Sequence, residues 1–163
     1  MKMETEMNSL YETFPSQIAS LWKEGKDLKE YFEEVVSSLN ASFDPYDWVG
    51  IYLVEGENLV LHSFRGDPTQ HTKIRVGEGV CGWAAKTGET TVVPDVSQDK
   101  RYLMCFPETQ SEIVVPIKGK NGVLGEIDID SSRLSAFTEL DSRMLEKITD
   151  HLALAIESEK RIG

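Results

Sequence analysis

The sequence predicts an α+β fold in which helices at both ends flank a mainly antiparallel sheet. Three observations carry that expectation. Apolar residues recur with a helical period before residue 44 and again after residue 137. Between those segments the period falls to two, and turn-forming pairs such as Asn121-Gly122 separate the alternating runs. The chain has 163 residues, enough to bury a core of its own, with no internal repeat or low-complexity segment. A single domain over 1–163 is therefore expected, with N-terminal helices in 1–44, sheet and loops in 45–131 and a C-terminal helix in 137–160.

Within residues 1–24, Leu10, Phe14, Ile18, Leu21 and Trp22 form one helical stripe; Pro15 complicates its start and Gly25 ends it. Asp27, with Glu30 three residues later, signals a capped second helix. Its buried face is Leu28, Tyr31, Phe32, Val35, Val36 and Leu39, while Lys29, Glu30, Glu33 and Glu34 meet water. Alternation starts at Trp48. Trp48–Val54 and Leu59–Phe64 are the arms of a hairpin turned at Glu55–Asn58. Lys73–Val76 is a short strand, Gly77–Gly88 a glycine-framed segment with a short helix in its middle, and Thr90–Val93 a strand stopped by Pro94. Residues 95–110 show no period and predict a long loop of the kind that carries function. Ile113–Lys118 and Val123–Asp130 are strands joined through Asn121-Gly122, and Pro116 places the first at an edge or bulge. Thr138 and Asp141 cap a last helix, with Leu140, Met144, Leu145, Ile148, Leu152, Ala155 and Ile156 along one face.

Composition narrows the function. A net charge of −11, from 28 acidic and 17 basic residues, argues against a nucleic-acid partner. No apolar run approaches the roughly 20 residues that cross a bilayer, and the start Met1-Lys-Met-Glu lacks the apolar core of a signal peptide. A cytoplasmic protein is expected. Cys81 and Cys105 are too few for a disulfide framework, so a thiol that matters here is nucleophilic or redox-active, and one that does not is a small buried apolar group. His62, His71 and His151 are not paired at metal-ligand spacing, and Gly77-Glu-Gly79 lacks the rest of a nucleotide-binding motif.

One group of residues suggests chemistry. Cys105 falls in the long loop, near the cationic Lys100 and Arg101, which favour a thiolate. Glu112, Asp128 and Asp130 fall in neighbouring strands, and Asp128 and Asp130, two apart, share a face. Crowded carboxylates raise one another's pKa, so one stays protonated near neutrality. That group can protonate a leaving oxygen while an ionised neighbour holds a cation such as an α-ammonium. A solvated strand end or a divalent-metal site are the alternatives. Glu126 lies on the same alternation and need not be functional. Trp48 and Tyr52 share one face of their strand, where aromatic residues are ordinarily core.

The order and spacing of Asp47-Trp48-Val-Gly-Ile-Tyr52, Gly79-Val-Cys81-Gly, Thr87-Gly-Glu-Thr, Asp95-Val, Cys105, Ser111-Glu112-Ile-Val-Val-Pro116 and Asp128-Ile-Asp130-Ser resemble the free methionine-(R)-sulfoxide reductases. These are stand-alone GAF domains, and the resemblance covers about residues 45–150. It implies a GAF-like six-stranded antiparallel sheet, often in a homodimer, and reduction of free methionine sulfoxide with no bound cofactor. By position, Cys105 would be the nucleophile, Glu112 and Asp130 would bind and protonate the sulfoxide oxygen, and Asp128 would hold the ammonium. Trp48 and Tyr52 would enclose the methyl-sulfur end. The family's third cysteine is replaced by His71, and its His-Ile-Ala-Cys-Asp run reads Tyr102-Leu-Met-Cys105-Phe106 here. Regeneration then falls to Cys81 as resolving thiol or to an external reductant, thioredoxin or a low-molecular-weight thiol. A non-catalytic GAF sensor for an amino-acid-like ligand and a thiol redox sensor are the alternatives.

Overall fold

The computed structural model describes residues 1–104 and 106–162. The helices are α1 (Lys2–Leu21), α2 (Leu28–Ser42), α3 (Gly79–Thr87) and α4 (Glu139–Ile162). The strands are β1 (Trp48–Glu55), β2 (Asn58–Arg65), β3 (Lys73–Arg75), β4 (Thr91–Val93), β5 (Ser111–Gly119) and β6 (Gly122–Ser131). They form one six-stranded sheet in the order β3-β2-β1-β6-β5-β4, antiparallel throughout. This is the expected α+β architecture. No helix among the described residues is long and apolar enough to cross a membrane.

Strand alternation divides the sheet into two chemically different faces. Val49 and Ile51 of β1, Ile127 and Ile129 of β6, and Ile113, Val115 and Ile117 of β5 pack against α1, α2 and α4. Each such side chain, fully buried, contributes roughly 1.5–3 kcal/mol. The intervening residues point to the opposite face, where Trp48, Tyr52, Leu59 and Val114 meet Val80, Cys81, Ala84 and Ala85 of α3.

The helix ends correct several sequence expectations. α1 begins at Lys2, and Pro15 lies inside it. The residues before Leu10 are exposed and so carry no apolar stripe to reveal a helix. Pro15 is buried, and its packing outweighs the backbone bond that it forgoes. α1 stops at Leu21 because Trp22 turns extended; Gly25, at φ +83°, shapes the following turn. In α2 the Asp27 side chain accepts from the Lys29 N–H at 3.1 Å, and all six stripe residues are buried. Leu140 leaves the α4 stripe and is exposed, whereas Met144, Leu145, Ile148, Leu152, Ala155 and Ile156 are buried. β5 is an interior strand, but β4 pairs only with Glu112–Val114, so Pro116 sits where β5 has no β4 partner. The segment after β4 contains a short 3-10 turn at Val96–Gln98, capped by Asp95.

One buried carboxylate ties the helical layer together. Asp141 accepts from Tyr11 Oη at 3.0 Å, from Tyr46 Oη, and from Thr138 N and Oγ1 at 2.8 and 3.0 Å. It joins α1, the turn before β1 and the start of α4. Burial first, then the Asp141 charge, pushes both tyrosine hydroxyls well above their ordinary value. Tyr46 is the more deeply buried, so Tyr46→Phe should cost about 1.5–3 kcal/mol in urea unfolding, and Tyr11→Phe distinctly less. Equal costs would show that burial does not set the strength of the two bonds.

Candidate active site

The register of three strands assembles the site. Asp130 lies opposite Glu112 on one side and Trp48 on the other; Asp128 lies opposite Val114 and Gly50; Glu126 lies opposite Pro116 and Tyr52. All of these share the face covered by α3, and Cys81 of α3 packs against the same face. Gly50 is required here. A Cβ at that position would come within 2.2 Å of the Trp48 indole, so only glycine lets the ring lie along β1.

The structure therefore brings together Trp48, Tyr52, Cys81, Glu112, Asp128 and Asp130. Cys105 lies outside the described residues. Glu126, which on sequence need not be functional, is fully buried with the others. The signal that could have found it is that β6 carries three acids on one alternation while β5 beside it is almost wholly apolar.

Four carboxylates and a thiol share this water-poor region. Cys81 Sγ is 4.0 Å from Glu112 Oε2, and Cys81, Glu112 and Asp128 present donor atoms within 4.8 Å of one another. Burial, then the charges of Asp128 and Asp130, push Glu112 well above the usual carboxyl range. Burial and the Asp128 charge do the same to Asp130, offset in part by Glu112 close by. Asp128 is raised by burial and pulled back by Glu112, Cys81 and the positive form of His71. Burial and the Asp128 charge likewise raise Glu126, and the Cys81 thiol is raised by burial and then by Asp128, Glu126 and Glu112. With all the carboxyls ionised, both oxygens of Glu126 and of Asp130 and Asp128 Oδ1 have no donor among the described residues; a proton on Glu112 serves Asp128 and Asp130, and the Cys81 thiol serves Glu126. Such a cluster holds protons itself or awaits a cationic, hydrogen-bonding ligand. The Cys81, Glu112 and Asp128 grouping has the donor types of a thiophilic cation site. A cation bound there would have to displace the protons held on the thiol and on Glu112.

Aromatic rings wall the entrance. Trp48 stacks on Phe64 with centroids 5.9 Å apart, and meets Phe106 at 5.8 Å and Tyr52 at 6.5 Å. Its Nε1–H donates to the Asp67 carbonyl at 3.0 Å, and Tyr52 Oη donates to the His71 carbonyl at 2.7 Å. A cavity of about 250 Å³ opens between Trp48, Asp67, Phe106, Glu108 and Asp130. The Arg101 guanidinium bonds Asp99 at 2.6 Å and lies 5.6 Å from the Trp83 ring centre; its expected support of a Cys105 thiolate lies outside the described residues. His71 Nε2 lies 3.1 Å from the carbonyl of Met104.

Comparison with known proteins agrees with this geometry. The GAF domain model matches residues 3–156. The free methionine-R-sulfoxide reductase of Saccharomyces cerevisiae is 42% identical over 106 residues, which are 63% of this chain and 58% of that protein's own length. Among solved structures, the type II free methionine-R-sulfoxide reductase of Thermoplasma acidophilum is 39% identical with a TM-score of 0.77, covering 81% of this chain and 96% of that one. The Neisseria meningitidis free methionine-R-sulfoxide reductase, solved in complex with its substrate, is 32% identical with a TM-score of 0.90, covering 96% and 94%. The chain belongs to the GAF-domain family and, within it, to the free methionine-R-sulfoxide reductases.

Proposed function

We propose that this chain reduces free methionine-R-sulfoxide to methionine, with Cys105 as the nucleophile. The observation that carries the reading is the buried acid cluster, whose Asp130 reaches a small cavity lined also by Trp48 and Phe106, with Tyr52 packed beside Trp48. A methionine sulfoxide offers a cationic ammonium, a hydrogen-bonding sulfoxide oxygen and an apolar methyl-sulfur end. Asp128 takes the ammonium, Glu112 and Asp130 bind the oxygen, and Trp48 and Tyr52 enclose the methyl.

Glu112 supplies the decisive proton. Thiolate attack on the sulfoxide sulfur strands negative charge on oxygen unless an acid protonates it, and a carboxyl kept neutral by burial and by Asp128 and Asp130 is suited to that step. The net change converts one thiol and one sulfoxide into one sulfenic acid and one thioether, balanced without a bound cofactor. Two reducing equivalents from thiol then return the sulfenic acid to thiol, with loss of water. Cys81 is a weak resolver while its thiol is held protonated. An external thioredoxin-like protein or small thiol is therefore proposed as the reductant, with Cys81 assisting.

The whole chain, 1–163, is proposed to act as one catalytic domain in the reducing cytoplasm. Exposed Met3 and Met7 of α1, with Leu140 and Leu154 of α4, supply apolar surface for a homodimer.

Purified protein with dithiothreitol should yield methionine from the R epimer only. Cys105→Ser should abolish turnover, and Cys81→Ser should slow thioredoxin-driven turnover more than dithiothreitol-driven turnover. Wild-type protein inert toward both epimers would sink the reading. Glu112→Gln should lower kcat on the order of 10²- to 10⁴-fold, because Gln binds the oxygen without a proton to give. In wild type, kcat should fall on the alkaline side as Glu112 ionises; a flat profile would assign the proton to another group.

Stability should follow the same protons. The folded state holds them more tightly than the unfolded chain, so this stabilisation is complete at acid pH and is lost as pH rises through the elevated folded values. Melting temperature should therefore decline above the ordinary Glu value of 4.5, and Glu126→Gln should make that decline shallower. An unchanged slope would place the Glu126 proton elsewhere.

A further inference from the structure

We infer that His71 is a positioning residue of this reductase, fastening the loop that carries Cys105 to the pocket wall; the inference rests on the reading of Cys105 as nucleophile. His71 lies between β2 and β3, distant in sequence from every acid of the cluster. Its Nε2 is 3.1 Å from Met104 O, across 33 residues of chain. A carbonyl only accepts, so Nε2 carries the hydrogen. Met104 O belongs to the peptide unit whose nitrogen is that of Cys105. The imidazole thus grips the backbone immediately before the proposed nucleophile.

The grip is anchored on its own side. The His71 N–H donates to Thr69 Oγ1 at 3.0 Å, and its carbonyl accepts Tyr52 Oη at 2.7 Å. The next residue, Thr72, accepts from Leu61 N of β2 at 2.8 Å. His71 therefore sits on a frame joined to the sheet and to one of the substrate-enclosing aromatics. Its positive form would also favour the Asp128 carboxylate.

Gln110 N donates to Ser131 O of β6 at 2.8 Å and joins the end of the loop to the sheet, while Tyr102 N to Asp99 O and Thr109 N to Phe106 O, both 3.2 Å, shape its middle. The Met104 side chain is exposed and adds little burial. Leu103 packs close to the backbone at Gly79, which holds the loop on the α3 side. The His71 bond holds it on the opposite, β2–β3 side. Both contacts hold the backbone that leads into residue 105, and displacement of a reacting group by about 1 Å costs catalysis heavily.

His71→Ala, His71→Gln and His71→Asn test this. Gln places an amide N–H where Nε2 stands and Asn cannot reach it. His71→Ala should lower kcat on the order of tenfold while KM stays within about threefold, because the wall and the acids that bind substrate remain. Gln should restore most of kcat, Asn should not, and all three should melt close to wild type. Amides of residues 99–104 should exchange faster in Ala and Asn than in wild type and Gln. Wild-type kcat and exchange in His71→Ala would overturn the inference, as would Gln failing to rescue both. Were wild type inactive, the reductase reading would fall, and exchange alone would still decide whether His71 holds the loop.

Discussion

Four carboxylates buried on one face of a sheet cannot all be ionised without a cation, and most of this molecule's functional character follows from that constraint. Glu112, Glu126, Asp128 and Asp130 lie almost wholly out of water. Burial raises all of them, and the Asp128 charge further raises Glu112, Glu126 and Asp130, so at least one remains a neutral acid where an isolated carboxyl would be ionised. A neutral donor beside ionised acceptors is the arrangement a protonated amine and a basic oxygen require in the same small space. The cost of assembling it falls on the opposite face, where β-branched residues of β1, β5 and β6 pack against three helices.

That division depends on register. Moving β6 by one residue would turn Ile127 and Ile129 into the pocket and set Asp128 and Asp130 against α4. The pairing is fixed on both sides, by β1 and by β5, over most of the strand. The single-residue precision extends to Gly50, whose missing side chain is filled by the Trp48 indole. Core, buried acids and aromatic wall are therefore set by one strand alignment.

Much of this was legible in the sequence because both periods are clean. The α2 stripe, the two hairpins and the Thr138–Asp141 cap all emerge where local pattern locates them. The start of α1 was hidden because its first turns are exposed and carry no apolar period, and Leu140 misled because a one-residue extension of a helical stripe looks the same on either face. Within the site, the shared face of Asp128 and Asp130 was readable from their spacing, whereas the burial of Glu126 depends on α3 lying over it, which no local pattern encodes. The His71 contact with Met104, and the commitment of Arg101 to Asp99, are long-range or rotamer choices that spacing cannot reveal. The resemblance supplied roles that the residues alone left open, Cys105 above all.

The central claim is that a cysteine of this chain takes the oxygen of a free sulfoxide while a neighbouring carboxyl supplies the proton. A single turnover without reductant isolates that step: pre-reduced protein, freed of thiol, is mixed with methionine-R-sulfoxide in the presence of dimedone. The account predicts one methionine released per chain and one dimedone adduct on Cys105, with the S epimer giving neither. Methionine formed without modification at Cys105, or an adduct confined to Cys81, would contradict it.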